Sequence, residues 1–319
     1  MDRVDLEKSI IYTLVYYDVL GGYPLTAFEI YKYLNFLKKE FIEKPDFNEI
    51  LSILDSNKTI SQYHGFYFYK KNSNCVKDRI ERQKIADKKW KKTIRIVKIL
   101  QIIPYTRGIA VSGSLAINNA GSASDLDLMV VSKNGRIWTV RALLNIILQI
   151  IGCRRHGQKI KDRICLNWFV TDKSLELQLK NLSRAHFCAQ LTPLWGDAFD
   201  IFANNNQWVG DYLPFFGIFD SNEHLKKINK NKFLRAVAET VEFFLDSILG
   251  DCIEDWLSIL QKNKISRKVN PAYLSSTLSE MRNNRWAHLC LSDEALVFHY
   301  PISKNLELEK EYFSKIKDP

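Results

Sequence analysis

The chain has 319 residues, 46% of them hydrophobic and 12% aromatic, and a formal net charge of +10. This length and composition are typical of a folded protein with two or three domains. The acidic, charged start argues against a secretory signal peptide, and the most apolar run, residues 142–151, is too short to span a bilayer. We therefore expect a cytoplasmic protein with no membrane partner, and the positive charge favours a polyanionic partner such as RNA or DNA.

The six cysteines are scattered along the chain and include no Cys-x-x-Cys pair. Several of them lie among apolar residues. This usage indicates neither a disulfide framework nor a zinc site, and it is typical of reduced core cysteines in a cytoplasmic protein.

Residues 1–75 have the pattern of three helices followed by a hairpin. A helical segment, Leu6–Leu20, ends at a Gly-Gly pair, and a second helix begins at Thr26 with the signature of a capping box. A third helix is predicted over Phe47–Asp55, and two apolar strands flank a His-Gly turn. This order resembles a winged helix-turn-helix domain. Because the third helix carries acidic residues and no Lys or Arg, we expect docking or substrate support rather than sequence-specific DNA reading.

Residues 76–103 predict one long helix that connects this region to the rest of the chain and ends at Pro104. Its first part is strongly basic and its later part is apolar. The basic face is consistent with two hypotheses, a solvated face of a connecting helix or a stripe that contacts nucleic-acid phosphates. The candidate RNA-binding residues on this helix are Lys88, Lys89, Lys91 and Lys92.

The most informative segment begins with Gly113 and Ser114 and ends, after a polar turn, with Asp125 and Asp127. Apolar residues before the Gly-Ser pair and around the two aspartates predict two buried strands. Alternate residues of a strand share a face, so the two carboxylates point the same way and repel each other. A cation between them relieves this repulsion, and all-oxygen ligation favours Mg²⁺ or Mn²⁺. Free backbone N–H groups at the Gly-Ser turn can receive a phosphate.

This arrangement resembles the nucleotidyltransferase superfamily related to DNA polymerase beta, and its spacing is closest to that of the minimal nucleotidyltransferases. Their signature reads Gly-Ser, a polar turn, then Ser-Asp-x-Asp, and the resemblance covers residues 104–170. It implies that the two aspartates bind the catalytic metal ions and the triphosphate, and that the Gly and Ser residues hold phosphate. The residues that match the signature are Gly113, Ser114, Ser124, Asp125 and Asp127.

The resemblance implies an α+β fold, with a polymerase beta-like palm of mixed sheet and flanking helices over residues 104–195. Residues 196–319 are predicted to form a helical C-terminal domain. Its clearest helix is Phe233–Leu249, because apolar residues recur there on one face. With residues 1–75 and 76–103, the expected order is a winged-helix domain, a basic connecting helix, a catalytic domain and a helical domain.

Further site candidates follow the aspartates. Arg141, on the next predicted helix, can reach a phosphate, and a basic loop with Arg154, Arg155 and Lys159 is a candidate RNA-binding surface. In the superfamily, a third carboxylate on the neighbouring strand binds the metal that activates the attacking hydroxyl. The predicted strand here has Asn167, whose amide can ligate a metal but cannot act as a general base.

The missing carboxylate leaves three possibilities. Asp162, Asp172 or Glu176, at the ends of that strand or beyond it, supplies it, or the acceptor activates itself, or the site is impaired. The leading hypothesis is a metal-dependent nucleotidyltransferase that transfers NMP from an NTP, ATP or CTP, to RNA, with a tRNA 3′ end as one such acceptor. Two alternatives stay open: a toxin- or antitoxin-type transferase that adds AMP to a protein, and a nucleotide- or RNA-binding protein with a decayed site. The sequence leaves the oligomeric state open.

Overall fold

The structure is a computed structural model, and it describes residues 3–35, 45–69, 74–215, 226–267, 269–270, 274–276, 289–298 and 310–316. Parts of the predicted ranges 1–75 and 196–319 lie outside the described residues. The fold is α+β, with a mixed sheet of several strands flanked by helices. None of the described helices is both long and apolar enough to cross a membrane.

The N-terminal region contains three helices and a small antiparallel sheet. The elements are α1 (Arg3–Val19), β1 (Leu25–Thr26), α2 (Ala27–Lys32), α3 (Phe47–Ser56), β2 (Ile60–Tyr63) and β3 (Phe66–Tyr69), and the strand order is β1–β3–β2. Helix α2 begins with the predicted capping box, because the Thr26 hydroxyl accepts from the Glu29 N–H and the Glu29 carboxylate accepts from the Thr26 N–H. His64 and Gly65 both have positive φ, as a tight hairpin turn requires.

The rest of the described chain forms a larger sheet with helices on both faces. A short 3₁₀ helix lies at Gln207–Asp211, and residues 310–316 are helical. The elements are α4 (Asn74–Leu100), β4 (Thr106–Val111), α5 (Gly113–Ala116), β5 (Leu126–Ser132), α6 (Ile137–Ile150), β6 (Ile164–Thr171), α7 (Leu182–Gln190), β7 (Thr192–Trp195), α8 (Ala198–Asn205), α9 (Lys232–Leu245), α10 (Ile248–Ser266), β8 (Leu274–Ser275), β9 (Leu289–Leu291) and β10 (Ala295–Val297).

Within the described residues, the larger sheet has seven strands in the order β7–β4–β5–β6–β10–β9–β8. The β5–β6 and β8–β9 pairs are parallel and the other pairs are antiparallel. Successive residues of β5 face opposite sides of the sheet. Leu128 and Val130 pack into the core with α4 and α6, whereas Met129 and Val131 pack into the core with α7 and α8. Pairing with β4 on one edge and with β6 on the other sets the position of β5, and with it that of the two aspartates.

The C-terminal part differs from the predicted helical domain. Its strands β8, β9 and β10 join the larger sheet, and β10 pairs with β6, with Val297 opposite Trp168. The predicted helix Phe233–Leu249 is two helices, because the chain leaves the helical path at Asp246 and α10 begins after Ser247. Strands of two or three residues are too short to show an alternating pattern, so the sequence did not indicate them.

Helix α4 contacts both the N-terminal region and the segment that follows β4, through the side chain of Arg79. The Arg79 guanidinium donates to Glu29 Oε1 at 2.8 Å and to the Ile117 carbonyl at 3.0 Å, and it lies 4.0 Å from the ring centre of Tyr23. The Tyr23 hydroxyl donates to the same carbonyl. Because the Arg79 side chain is buried, these contacts hold the N-terminal region directly against the motif segment.

Candidate active site

The two aspartates lie where β5 begins, beside the end of β4. The backbone N–H of Ser112, which follows β4, donates to the Asp127 carbonyl at 3.0 Å. Helix α5 then begins at Gly113. The antiparallel β4–β5 pair therefore brings the Gly-Ser turn and the aspartate strand together, although a polar turn separates them in the sequence.

Gly113 permits a close approach that a side chain would prevent. Its φ is +68°, which L residues with a side chain rarely adopt, and a Cβ atom here would lie 2.6 Å from Asp127 Oδ2. The absence of a side chain at Gly113 therefore lets the Asp127 carboxylate lie directly against the Gly-Ser turn.

Asp125 and Asp127 form a crowded pair. Asp125 immediately precedes β5, and Asp127 is the second residue of the strand. Burial, and then the negative charge of Asp125, raise the pKa of Asp127 to about 7. Without a cation, this carboxyl group is therefore partly protonated at neutral pH. A positive ion beside the pair would favour the ionised form.

The neighbouring strand β6 presents a cysteine opposite the second aspartate. In the parallel β5–β6 pair, Cys165 is the register partner of Asp127, and the register shifts one step later. Asn167 lies two residues beyond Cys165 on the same face of β6, and its Nδ2 donates to Asp127 Oδ1 at 2.9 Å. Burial raises the pKa of the Cys165 thiol to about 12, so the thiol is protonated when no cation is present. The sequence drew attention to Asn167 and missed Cys165, although alternate strand residues share a face.

These side chains form a donor set that fits a divalent cation. Asp125, Asp127 and Cys165 each offer one ligand atom, and these atoms all lie within 4.8 Å of one another. Beside them, Asn167 Oδ1 is buried and has no hydrogen-bond partner among the described residues. Carboxylate, amide and thiol groups are the ligand types that proteins use for divalent metals.

The three alternative carboxylates are engaged elsewhere. Asp162 forms an ion pair with Lys89. Asp172 accepts from a backbone N–H of the β5–α6 turn at 3.0 Å, and Glu176 forms an ion pair with Lys180 at 2.7 Å. Among the described residues, the third position of the site is therefore left to a thiol and an amide.

Arg155 places a positive charge on the site. The sequence assigned it to an RNA-binding loop, but its Nη1 atom lies 2.7 Å from Asp125 Oδ2 and donates to Cys165 Sγ at 3.3 Å. The Arg155 backbone N–H donates to the Ile164 carbonyl, which ties the loop to the start of β6. One cationic nitrogen thus faces a carboxylate and a thiol together, where a divalent cation would meet the same two groups.

Replacing Arg155 by Gln should tighten divalent-cation binding, because the substitution removes a competing positive charge. Partly exposed ion pairs contribute about 0.2–1 kcal/mol, so we expect the dissociation constant to fall by up to about fivefold. Calorimetric titration of Mn²⁺ into the full-length protein measures this change. Lys159→Gln, at the exposed tip of the same loop, is the matched control. Weaker binding by the Arg155 variant would contradict the competition.

Lys89 is buried, which corrects its assignment to an RNA-binding surface. Only 3% of its side chain is exposed. The ammonium donates to the Ser124 carbonyl at 2.7 Å and to Asp162 Oδ1 at 2.5 Å. The Ser124 hydroxyl, proposed above to hold phosphate, donates to the Gly121 carbonyl at 2.9 Å. Lys89 and Ser124 therefore anchor the turn that leads into Asp125.

Two further side chains of α4 bond the same turn. Trp90 Nε1 donates to Asn118 Oδ1 at 2.7 Å, and Arg82 donates to Asn119 Oδ1 at 3.1 Å. The inner face of α4 therefore fixes the polar turn between the Gly-Ser pair and the aspartates.

The outer face of α4 carries exposed basic side chains. Their spacings of three, four and seven residues place them in one line along the helix. Lys92 is half-buried, as is Arg154 on the basic loop, whereas Lys159 is exposed. We call the exposed set the α4 basic row, and it consists of Lys77, Lys84, Lys88, Lys91, Arg95 and Lys98.

Arg141 packs against the C-terminal part of the chain. Its guanidinium donates to Gln261 Oε1 at 2.5 Å and lies 4.6 Å from the ring centre of Phe298. Burial lowers the pKa of Arg141 to about 10. These contacts join α6 to α10 and to the residue after β10, so a phosphate contact would require them to break. Ser114 is half-buried in α5, beside the site.

A cavity of about 280 Å³ adjoins the Gly-Ser turn. The rings of Trp168 and Phe187 stack with their centres 4.7 Å apart, and the Arg184 guanidinium lies 5.1 Å from the Trp168 ring centre. A planar group that enters the cavity would meet aromatic side chains beside Gly113 and Asn167. The lining includes Ser112, Gly113, Asn167, Trp168, Arg184 and Phe187.

Comparison of this chain with family models, with curated proteins and with solved structures finds no match.

Proposed function

We propose that this chain is a metal-dependent nucleotidyltransferase that transfers NMP from an NTP to an acceptor. The observation that supports it best is the pairing of Asp125 with Asp127 at the start of β5, with the Asp127 carboxylate directly against Gly113. The proposal includes the finer fold assignment, a polymerase beta-like palm preceded by a winged-helix domain. In support, a Gly-Ser turn and two adjacent strands supply the site, and three helices with a hairpin precede it.

The chain's own residues have separate roles in this proposal. Asp125 and Asp127 hold the cation, with Cys165 and Asn167 beside it. When bound, a divalent cation neutralises phosphate charge and polarises the transferred phosphoryl group. The first backbone N–H groups of α5 have no partner within the helix and are available to phosphate oxygens at the Gly113 turn. The cavity with the stacked aromatic rings offers space for a nucleobase.

For the acceptor we propose RNA, on the basis of charge. The net charge is +10, and the α4 basic row extends over about 30 Å of helix. A line of exposed cations can follow the phosphates of a single strand. The opposite face of the same helix bonds the motif turn, so RNA on the basic row would lie about one helix diameter, roughly 10 Å, from that turn.

Transfer of label from an NTP is the direct test. The full-length protein is incubated with total RNA and with each labelled NTP in turn, in the presence of Mg²⁺ or Mn²⁺. We expect cation-dependent label in RNA, with ATP or CTP as the donor. Label in protein would favour the AMP-transferring alternative, and nucleotide binding without transfer would favour a decayed site. Absence of both transfer and nucleotide binding would refute the proposal.

A divalent cation and an NTP should stabilise the protein cooperatively. Each supplies ligands to the other, so the rise in Tm with both present should exceed the sum of the separate rises. A saturating ligand at about 100 times its Kd contributes roughly 2.7 kcal/mol, which a thermal-shift matrix detects. Strictly additive shifts would contradict a shared site.

Charge reversal on the α4 basic row should weaken RNA binding without affecting the fold. For Lys88→Glu with Lys91→Glu, we expect the slope of log K against log salt to fall by about 0.7 for each lost phosphate contact. Fluorescence anisotropy between about 50 and 200 mM salt measures the slope. Lys264→Glu, an equally exposed lysine on α10, is the matched control. An unchanged slope in the double variant would exclude the row as an RNA contact.

A further inference from the structure

The third ligand position of the proposed site holds sulfur instead of oxygen. Cys165 is the parallel register partner of Asp127, and partners in such a pair project to the same side of the sheet. Its Sγ atom and one oxygen atom of each aspartate lie within 4.8 Å of one another. The thiol therefore lies on the same side of the sheet as the second aspartate, within reach of a cation that both aspartates hold.

The Arg155 guanidinium already places a positive charge against Asp125 and Cys165. Its Nη1 atom is 2.7 Å from Asp125 Oδ2 and 3.3 Å from Cys165 Sγ, so both groups already face one cationic atom. Metal–ligand distances are shorter, about 2.0–2.3 Å, so a cation would draw the same two groups slightly closer.

A separate observation points to a missing partner on β6. Asn167 Nδ2 is used by Asp127, but Asn167 Oδ1 is buried and has no hydrogen-bond partner among the described residues. A buried acceptor without a partner is costly, and a cation or a cation-bound water would satisfy it.

We propose that Cys165 is the third protein ligand of the cation held by Asp125 and Asp127. The site would then select a thiolate-accepting divalent cation, Co²⁺ or Zn²⁺, over Mg²⁺. This inference rests on the proposed function and restricts the choice of divalent cation in the proposed site. Mg²⁺ is a hard cation that is bound through oxygen and keeps several waters, whereas the later divalent metals accept thiolate. As the metal–sulfur bond forms, the thiol proton passes to solvent.

Cobalt spectroscopy tests the ligand directly. Co²⁺ is titrated into the full-length protein, into Cys165→Ser and into Cys252→Ser, which changes an exposed cysteine on α10. A sulfur-to-cobalt charge-transfer band in the near ultraviolet is expected for the unaltered protein and for Cys252→Ser. We expect the band to be absent from Cys165→Ser.

Metal preference provides the second measurement. Calorimetric titrations give the dissociation constants of Mg²⁺ and Co²⁺ for the unaltered protein and for Cys165→Asp, with circular dichroism as the check on folding. In the Asp variant, we expect the preference for Co²⁺ over Mg²⁺ to fall by about tenfold or more.

The outcomes separate this inference from the proposed function. Co²⁺ binding without the band, or a band that persists in Cys165→Ser, would overturn the role of Cys165 and leave the aspartate site intact. Mg²⁺ binding as tight as Co²⁺ binding to the unaltered protein would do the same without any variant. If no divalent cation binds, with or without NTP, both the inference and the proposed metal site fail.

Discussion

Replacement of Asp125 and Asp127 by Asn should lower nucleotidyl transfer by about a thousandfold or more. The two carboxylates hold the cation in the proposed site, and a catalytic cation supplies several kcal/mol of transition-state stabilisation. Each single variant and the double variant are assayed with labelled NTP at saturating cation. Asp200→Asn, an exposed carboxylate on α8, is the matched control. Transfer by the double variant at the unaltered rate would rule out this metal site.

Although Asp127→Asn should lower activity, it should make the cation-free protein more stable. The pKa of Asp127 is raised to about 7, above its value in an unfolded chain, which is about 3.9. Between these values, the folded state binds more protons than the unfolded state. The free energy of unfolding therefore falls as pH rises from about 4 to about 7.

Asp127→Asn removes this pH-dependent fall in the free energy of unfolding, because asparagine does not ionise. In the presence of a chelator at about pH 8, we expect Asp127→Asn to be more stable than the unaltered protein by roughly 1–2 kcal/mol, a rise in Tm of several degrees. The difference should shrink as the pH approaches about 4. Thermal unfolding across this pH range measures it. A lower Tm for the variant at high pH would mean that the charged Asp127 stabilises the fold, through Arg155 or Asn167.

Lys89→Met should destabilise the full-length protein by about 3 kcal/mol. Removing one partner of a buried ion pair leaves the other charge uncompensated, and this costs about 3–5 kcal/mol. The lower end applies because 33% of the Asp162 side chain is exposed. The substitution also removes the hydrogen bond from the Lys89 ammonium to the Ser124 carbonyl. The turn before Asp125 is then held less firmly, so cation affinity should fall as well.

The neighbouring lysine provides a matched control. Lys88→Met makes the same chemical change on the exposed face of the same helix, and its effect on stability should stay within about 0.5 kcal/mol. Urea unfolding of both variants, with Asp162→Asn and the Lys89–Asp162 double variant, isolates the pair. Equal effects of Lys88→Met and Lys89→Met would contradict the structural role of Lys89.

Local patterns in the sequence were sufficient for the parts of the fold that depend on neighbouring residues. The capping box at Thr26 and Glu29 forms as predicted. The strand that carries Asp127 and the helix that carries Arg141 both form where the sequence predicts a strand and a helix. Periodicity and capping are short-range effects, so they can be recognised without knowledge of the tertiary fold.

The contacts that complete the candidate site arise from tertiary packing. Arg155 and Asp125 meet only because β5 and β6 are adjacent and parallel, and the register that places Cys165 opposite Asp127 has no signature in the sequence. Lys89 is different, because a signal existed. It follows Ala86 by three residues and precedes Thr93 by four, so it lies on the buried face of α4, and charge alone was misleading.

The pairing of β10 with β6 has a consequence for the protein as it is synthesised. The Phe298 N–H donates to the Asn167 carbonyl at 2.9 Å, and Val297 lies opposite Trp168. On the ribosome, β4, β5 and β6 emerge long before β10, so until then β6 has an open edge that can pair with other chains. Both aspartates are therefore already synthesised while β6, the strand next to them, still lacks its pairing with β10. The strand beside the aspartates gains its final backbone partner only late in translation.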